Sequence, residues 1–291
     1  MRAAHIKKGY IQYGNYKTYY EFHIPKENPH QKSPLILLAG GPGLSFLTLQ
    51  PLLDLGQNRP VLVYDQIGSG RSTRSEHFAN LSIDDFILQF EELVSYFHID
   101  KYHLLGHSWG ATLALEISLR NPQQVESLIF HSGIVNWNRV RELRPRFEEM
   151  YFTPELKDFK EKLEKGTTVS KQEYNEATEL YNNLFFCRVG YPTYLQEAFL
   201  EKDQRTNDLI WQENDEISKY DRTKDLPNIQ CKTLIISGKY DGMSIGQSEI
   251  LKKGTRDSTH VEFSNSSHYA HIEEQSRFLK EVQHFLDSVD Q

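Results

Sequence analysis

Cysteine is nearly absent: the 291 residues hold only Cys187 and Cys231. Two thiols do not make a disulfide framework, so a packed core must hold the fold, and a reducing cytoplasm is the expected compartment. No apolar run approaches the ~18–20 residues that a membrane-spanning helix needs. The opening stretch MRAAHIKKGYIQYG lacks the apolar segment of a secretory signal, so none is expected. No block of basic residues is present and the net charge is −7, which argues against a nucleic-acid partner. The twelve histidines are scattered, and none stands with either cysteine at a zinc-binding spacing. No metal and no cofactor is therefore expected. There is no internal repeat and no low-complexity tract. The remaining composition, 38% hydrophobic and 25% charged, fits one large globular domain or a core with a sizeable insert.

Hydrophobic pattern organises what is there. YIQYG and KTYYEFHI alternate like a hairpin around Gly14 and Asn15. Short, nearly continuous apolar runs follow at 34–40, 59–65, 101–107, 125–133, 231–239 and 259–264. Such runs suit strands buried on both faces of a parallel sheet. Helical spacing appears between them, in 82–97 with Ser82 as its cap, in 109–121, and in the amphipathic close 273–289. Strand, helix, strand in repetition predicts an α/β fold with right-handed crossovers. The stretch 137–224 differs: it is dense in charge, carries the aromatic pairs Tyr151-Phe152 and Phe185-Phe186, and has no strand-like run. It reads as a helical cap inserted over the carboxyl edge of the sheet, between core segments 1–136 and 225–291.

The sharpest signal lies at Gly106-His107-Ser108-Trp109-Gly110, where an apolar strand runs straight into a helix. So tight a turn strains its central residue and leaves no room for side chains two positions before or after it. The serine hydroxyl is then held out at the top of the sheet, the geometry of a nucleophile elbow. The helix amino terminus behind it favours developing negative charge. Read without chemistry, Ser108 is a helix cap.

A serine nucleophile needs a base and an orienting acid. Asp241 follows the run 231–239, and His268 follows the run 259–264, so both fall at strand carboxyl ends in the order serine, acid, histidine. In that arrangement His268 takes and returns the proton and Asp241 fixes its tautomer. His271 is the nearest rival base. His260 precedes its strand, His107 reads as packing under the elbow, and Asp225 sits at the wrong strand end. Gly40, Gly41, Pro42 and Gly43 follow the first long strand, where glycines let backbone N–H groups approach a substrate. The N–H groups of Gly41 and Trp109 are the expected oxyanion donors. The turn YDQIGSGRS reads as structural, with Asp65 and Arg71 fixing loop positions; it lacks phosphate-loop spacing.

GGPG after a strand, YDQIGSGRS, GHSWGATLALEIS, GKYDGMS and SSHYAHIEEQ, in this order, resemble the α/β-hydrolase fold and its prolyl aminopeptidase (proline iminopeptidase) branch. The resemblance covers about residues 10–135 and 225–290 and implies a cofactor-free serine hydrolase that removes an amino-terminal residue, often proline, from short peptides. Two positions depart from that family's pattern: Ala39 stands where it usually has histidine, and Gly242 where some members carry a glutamate that helps hold the substrate ammonium. An aminopeptidase needs carboxylates near that ammonium. Glu213 and Glu216 in WQENDEIS are candidates, and otherwise read as a solvated charged face. An esterase, lactonase or other amidase on the same machinery is the alternative. A ligand receptor that keeps a hydrolase shape without turnover is the third.

Overall fold

The structure is a computed structural model that describes residues 5–14, 16–28, 31–74, 76, 78–212 and 215–291. Asn15 of the hairpin turn and the candidate Glu213 lie outside the described residues, as does the side chain of Glu216. Strands β1 (His5–Tyr13) and β2 (Tyr16–Ile24) form the expected antiparallel hairpin. Then come β3 (Leu35–Leu38), β4 (Val61–Tyr64), β5 (Tyr102–His107), β6 (Val125–His131), β7 (Lys232–Gly238) and β8 (Ser258–Phe263). They join in one sheet of order β1-β2-β4-β3-β5-β6-β7-β8. β2 meets β4 antiparallel, and every pair from β4 to β8 is parallel. The chain leaves β3 toward β4 and then returns to β5 on the other side of β3. That reversal opens a crevice beyond the carboxyl ends of β3 and β5, the usual place for a ligand in such sheets.

The continuous apolar runs are explained by two cores. Ile36, Leu38, Leu62, Tyr64, Leu104 and Leu128 point to one face, where α1 (Ile83–Tyr96) and α2 (Trp109–Arg120) pack. Leu35, Leu37, Val61, Val63, Leu105 and Ile129 point to the other, covered by a 3-10 helix (Phe46–Gln57) and by α11 (Gln275–Val289). Alternation along each strand feeds both cores, so neither side is polar. β8 departs from the expectation: it is the edge strand, and only Phe263 of its six residues is buried. The 3-10 helix carries Pro51 and no strong periodicity, which is why the pattern reading missed it. The closing amphipathic stretch forms α11, and the short α10 (Ala270–Glu273) precedes it across Glu274.

Between β6 and β7 lie α3 (Trp137–Tyr151), α4 (Pro154–Glu164), α5 (Lys171–Phe185), α6 (Thr193–Leu200), α7 (Gln204–Trp211) and α8 (Asp215–Ser218). Asn136, Thr153, Ser170 and Asp203 cap four of them, each accepting from a backbone N–H in the first turn. No named strand occurs among the described residues of this stretch. α9 (Gln247–Gly254) connects β7 to β8. The return to the core is fastened by Glu116 of α2, which accepts from Arg222 Nε at 2.6 Å and Nη2 at 3.0 Å and from the Tyr220 hydroxyl at 2.6 Å.

Candidate active site

Ser108 sits between β5 and α2 with φ 56° and ψ −122°, a backbone conformation that L residues rarely adopt. The flanking glycines are required by backbone, not by side chains. A Cβ on Gly106 would lie 2.1 Å from Gly110 O, and one on Gly110 would lie 2.0 Å from Leu38 O. The turn therefore presses α2 against the end of β3. Ser108 N–H donates to His131 O at 2.9 Å, which ties the elbow to β6. Its hydroxyl makes no hydrogen bond among the described residues and faces a cavity of about 850 Å³. The same cavity is lined by Gly41, Trp109 and His268.

Asp241 and His268 come together at the carboxyl ends of β7 and β8. His268 Nδ1 lies 3.0 and 3.1 Å from the two Asp241 oxygens, with both side chains almost wholly buried. A carboxylate only accepts, so Nδ1 carries a proton, and in the neutral ring it is Nε2 that has the free lone pair. Burial pushes the Asp241 carboxyl up. The facing His268 charge and hydrogen bond, with the Ser244 hydroxyl and Met243 N–H, outweigh burial and bring it to about 2. The His268 ring stacks on Phe186 of the α5–α6 loop, with centroids 5.1 Å apart. The two loops lock together because Gly238 admits the backbone of Ser267, whose carbonyl would stand 2.0 Å from an added Cβ. Glu273 accepts from Ser267 N and Oγ, and Glu274 from Ser266 Oγ, so α10 holds the histidine loop in place.

The rivals fall elsewhere. His271 is buried on α10, bonded to Thr48 O at 2.9 Å and His131 at 3.0 Å, and does not line the cavity. His260 lies within the edge strand β8, not before it as the sequence suggests, and bonds Ser237 of β7, while Asp225 pairs with Arg222 at 3.5 Å. His107 lies under the elbow, its Nε2 2.8 Å from His268 O. Asp65 is buried and accepts from Phe46 N and Arg71 N, a loop-fixing role that matches its reading. Sequence spacing did not reveal that His107, His131 and His271 meet, with ring nitrogens within 4.8 Å of one another. Their positions are far apart in the chain, and the sheet alone gathers them.

The glycine-rich loop after β3 is held from two sides. Gln66 donates to Ala39 O at 2.8 Å and accepts from Trp109 Nε1 at 2.9 Å, which links the loop to the start of α2. Trp211 of α7 donates to Gly41 O at 2.9 Å and meets Trp109 edge-on at 5.7 Å. Gly41, at φ 117°, takes a conformation that favours glycine. Gly40 packs on Ser108, an added Cβ being 3.2 Å from Ser108 Cβ. The N–H of Trp109 is at the first helical position, where no carbonyl of its own helix can accept it. Gln66 belongs to the Asp-Gln turn of YDQIGSGRS, a specific part of the resemblance, whereas Trp211 carries no signal in the sequence.

Residues 33–275 match the alpha/beta hydrolase fold family. The chain is 31% identical to a proline iminopeptidase of Saccharolobus solfataricus, over 99% of this chain and 94% of that one. It is 28% identical to a proline iminopeptidase of Heyndrickxia coagulans, over 88% and 91%. The crystal structure of a Mycobacterium smegmatis proline iminopeptidase superposes with a TM-score of 0.89, covering 98% of this chain and 99% of that one. At 23% identity that last likeness speaks to fold alone.

Proposed function

The chain belongs to the alpha/beta hydrolase family, among the proline iminopeptidases, and from that premise we propose that it is a serine aminopeptidase releasing an N-terminal proline from short peptides or amino-acid amides. Ser108 is the nucleophile, His268 the base and Asp241 the orienting acid. His268 Nε2 takes the Ser108 proton as Oγ attacks the carbonyl carbon, and the N–H groups of Gly41 and Trp109 receive the negative oxygen. His268 then gives the proton to the departing amine, which leaves an acyl-enzyme. Water attacks the acyl carbon with His268 again as base, and the freed acid leaves Ser108 restored. The observation that carries this reading is Ser108 held at φ 56° in the same cavity as a histidine whose tautomer Asp241 sets.

Residues 137–224 act as a cap on a core made of 1–136 and 225–291, and the cap supplies much of the cavity wall. Glu213 and Glu216 are the proposed partners of the substrate ammonium. A cytoplasmic location is proposed from the scarcity of cysteine. No described helix is long and apolar enough to cross a membrane.

The apolar lining by Trp137, Phe186, Phe199 and Trp211, with Gly242 in place of a carboxylate, favours a second reading as an esterase or amidase on the same residues. The discriminating experiment compares proline and alanine arylamides with short p-nitrophenyl esters. Release of the aromatic amine from the proline substrate is expected. Cleavage of esters alone would remove the aminopeptidase reading. Labelling by a fluorophosphonate, lost in Ser108→Ala, tests the nucleophile under either outcome.

A further inference from the structure

Helix α3 turns one face to the cavity. Trp137, Val140, Arg141, Arg144, Pro145 and Glu148 recur at helical spacing, and all six line it. Lys160 of α4 and Lys202, just after α6, line it too. Four cations thus face the space over Ser108, and Glu148 is the one carboxylate among the described lining residues. Glu148 pairs with Lys160. The other three cations meet no carboxylate within ion-pair distance among the described residues. Arg141 donates to Ser218 O at 2.9 Å and Asn138 Oδ1 at 3.2 Å, and Arg144 donates to the Tyr181 hydroxyl at 3.2 Å. Burial pushes the Lys202 ammonium below its ordinary value, and Asp208 opposes this. Arg141 is exposed, whereas Arg144 is half-buried and Lys202 is partly desolvated, and with no carboxylate at ion-pair distance among the described residues these two gain from an arriving anion.

Gly242 sharpens the point. A Cβ there would lie 3.0 Å from the Tyr181 hydroxyl, the same oxygen that accepts from Arg144. The position after Asp241 is therefore separated from Arg144 by the Tyr181 hydroxyl, and it carries no carboxylate.

We propose that these cations receive an anionic group of the substrate, and that on the aminopeptidase reading, on which this rests, the group is the free C-terminal carboxylate of a di- or tripeptide. A guanidinium offers a carboxylate two parallel donors, which orients as well as attracts. A cavity of about 850 Å³ accommodates a peptide of that size. The substrate class is then a short zwitterionic peptide, in preference to one whose carboxyl end is blocked.

The test is the ratio of kcat/KM for Pro-Ala to that for Pro-Ala-amide, in which any general loss of activity cancels. The free acid should be favoured by about tenfold, the size expected for a charge-assisted contact in a half-open site. Arg144→Gln with Lys202→Gln should bring the ratio close to one, mainly through KM for the free acid. Arg144→Lys, which keeps the charge but loses the paired donors, should retain only part of the preference. Gly242→Glu, which sets a carboxylate near Arg144, should lower the ratio as the double variant does. An amide cleaved as well as the acid by the unaltered enzyme would overturn the proposal, as would a ratio unmoved in the double variant. If no proline peptide is cleaved, the aminopeptidase reading falls by itself. The anion site is then judged by 4-acetoxybenzoate against its methyl ester: the acid-to-ester ratio should drop in the double variant, and an unchanged ratio refutes the site.

Discussion

Acid should destabilise this protein steeply as the pH falls from about 6.5 to 5.5, above the range in which ordinary carboxylates titrate. His107, His131 and His271 are fully buried beneath the elbow. Burial, reinforced by the neighbouring histidines, holds His107 and His131 well below the usual imidazole range. Burial brings His271 to about 4, against an opposing hydrogen bond to the Thr48 carbonyl. In the unfolded chain each ring titrates near about 6.5. The native state thus binds fewer protons than the unfolded state below that value. Stability from these rings is complete above about pH 6.5 and is lost as the pH falls toward the lowered native values. One unit below the unfolded midpoint each ring forfeits about 1.4 kcal/mol, and the three together about 4. His103, brought to about 4 by burial and the charge of Arg59, adds a comparable loss. Domains are stable by only about 5–15 kcal/mol, so much of the margin is removed. Urea unfolding at about pH 7.5, 6.5 and 5.5 measures it. His271→Asn has no ring to protonate, so it should flatten the pH slope by one ring's share, whatever it costs at neutral pH. An unfolding midpoint equal at both ends of the range would refute the reasoning, as would imidazole resonances of these residues titrating near about 6.5.

Asp241→Asn should lower kcat by about 10³–10⁴ while the far-ultraviolet circular dichroism stays native, because the amide no longer enforces the proton on Nδ1. A change of less than tenfold would count against the assigned tautomer. Gly110→Ala drives a methyl to 2.0 Å from the Leu38 carbonyl, so a loss of at least about 3 kcal/mol or a failure to fold is expected. Gly166→Ala is the control: nothing lies within 4 Å of the added Cβ, and only the φ of 68° costs about 1–2 kcal/mol. Similar urea midpoints for the two would show that the elbow tolerates the change. Glu116→Ala strands Arg222 and Tyr220 where the helices return to the core, and should cost about 1–3 kcal/mol in urea unfolding.

What could be read in advance shares one property: its cause is local in the chain. Gly106 and Gly110 flank Ser108 because a strand–helix turn of five residues has no room for a Cβ, and that constraint is visible as text. The buried strands were legible because both faces of β3 to β6 meet apolar layers, which forces uninterrupted hydrophobic runs. β8 was misjudged for the complementary reason: only its neighbours decide that it is an edge. The positions of Asp241 and His268 followed from strand order, since each lies just after a run already recognised.

Other features depend on distance in space and left no trace in spacing. The three buried histidines come from β5, β6 and α10, and become neighbours only when those elements pack. Gln66, Ala39 and Trp109 form one hydrogen-bonded chain across segments that are separate in sequence. The charge of the cavity is the clearest case. The residues between 137 and 224 carry both signs in abundance, and composition does not say which sign turns inward. By itself the sequence determined the layered α/β architecture and the serine turn, because hydrophobic period and backbone sterics act between residues a few positions apart. The tertiary structure alone decided that Arg141, Arg144 and Lys202 line the cavity that Ser108 also lines, because the packing of the elements sets which side chains turn inward.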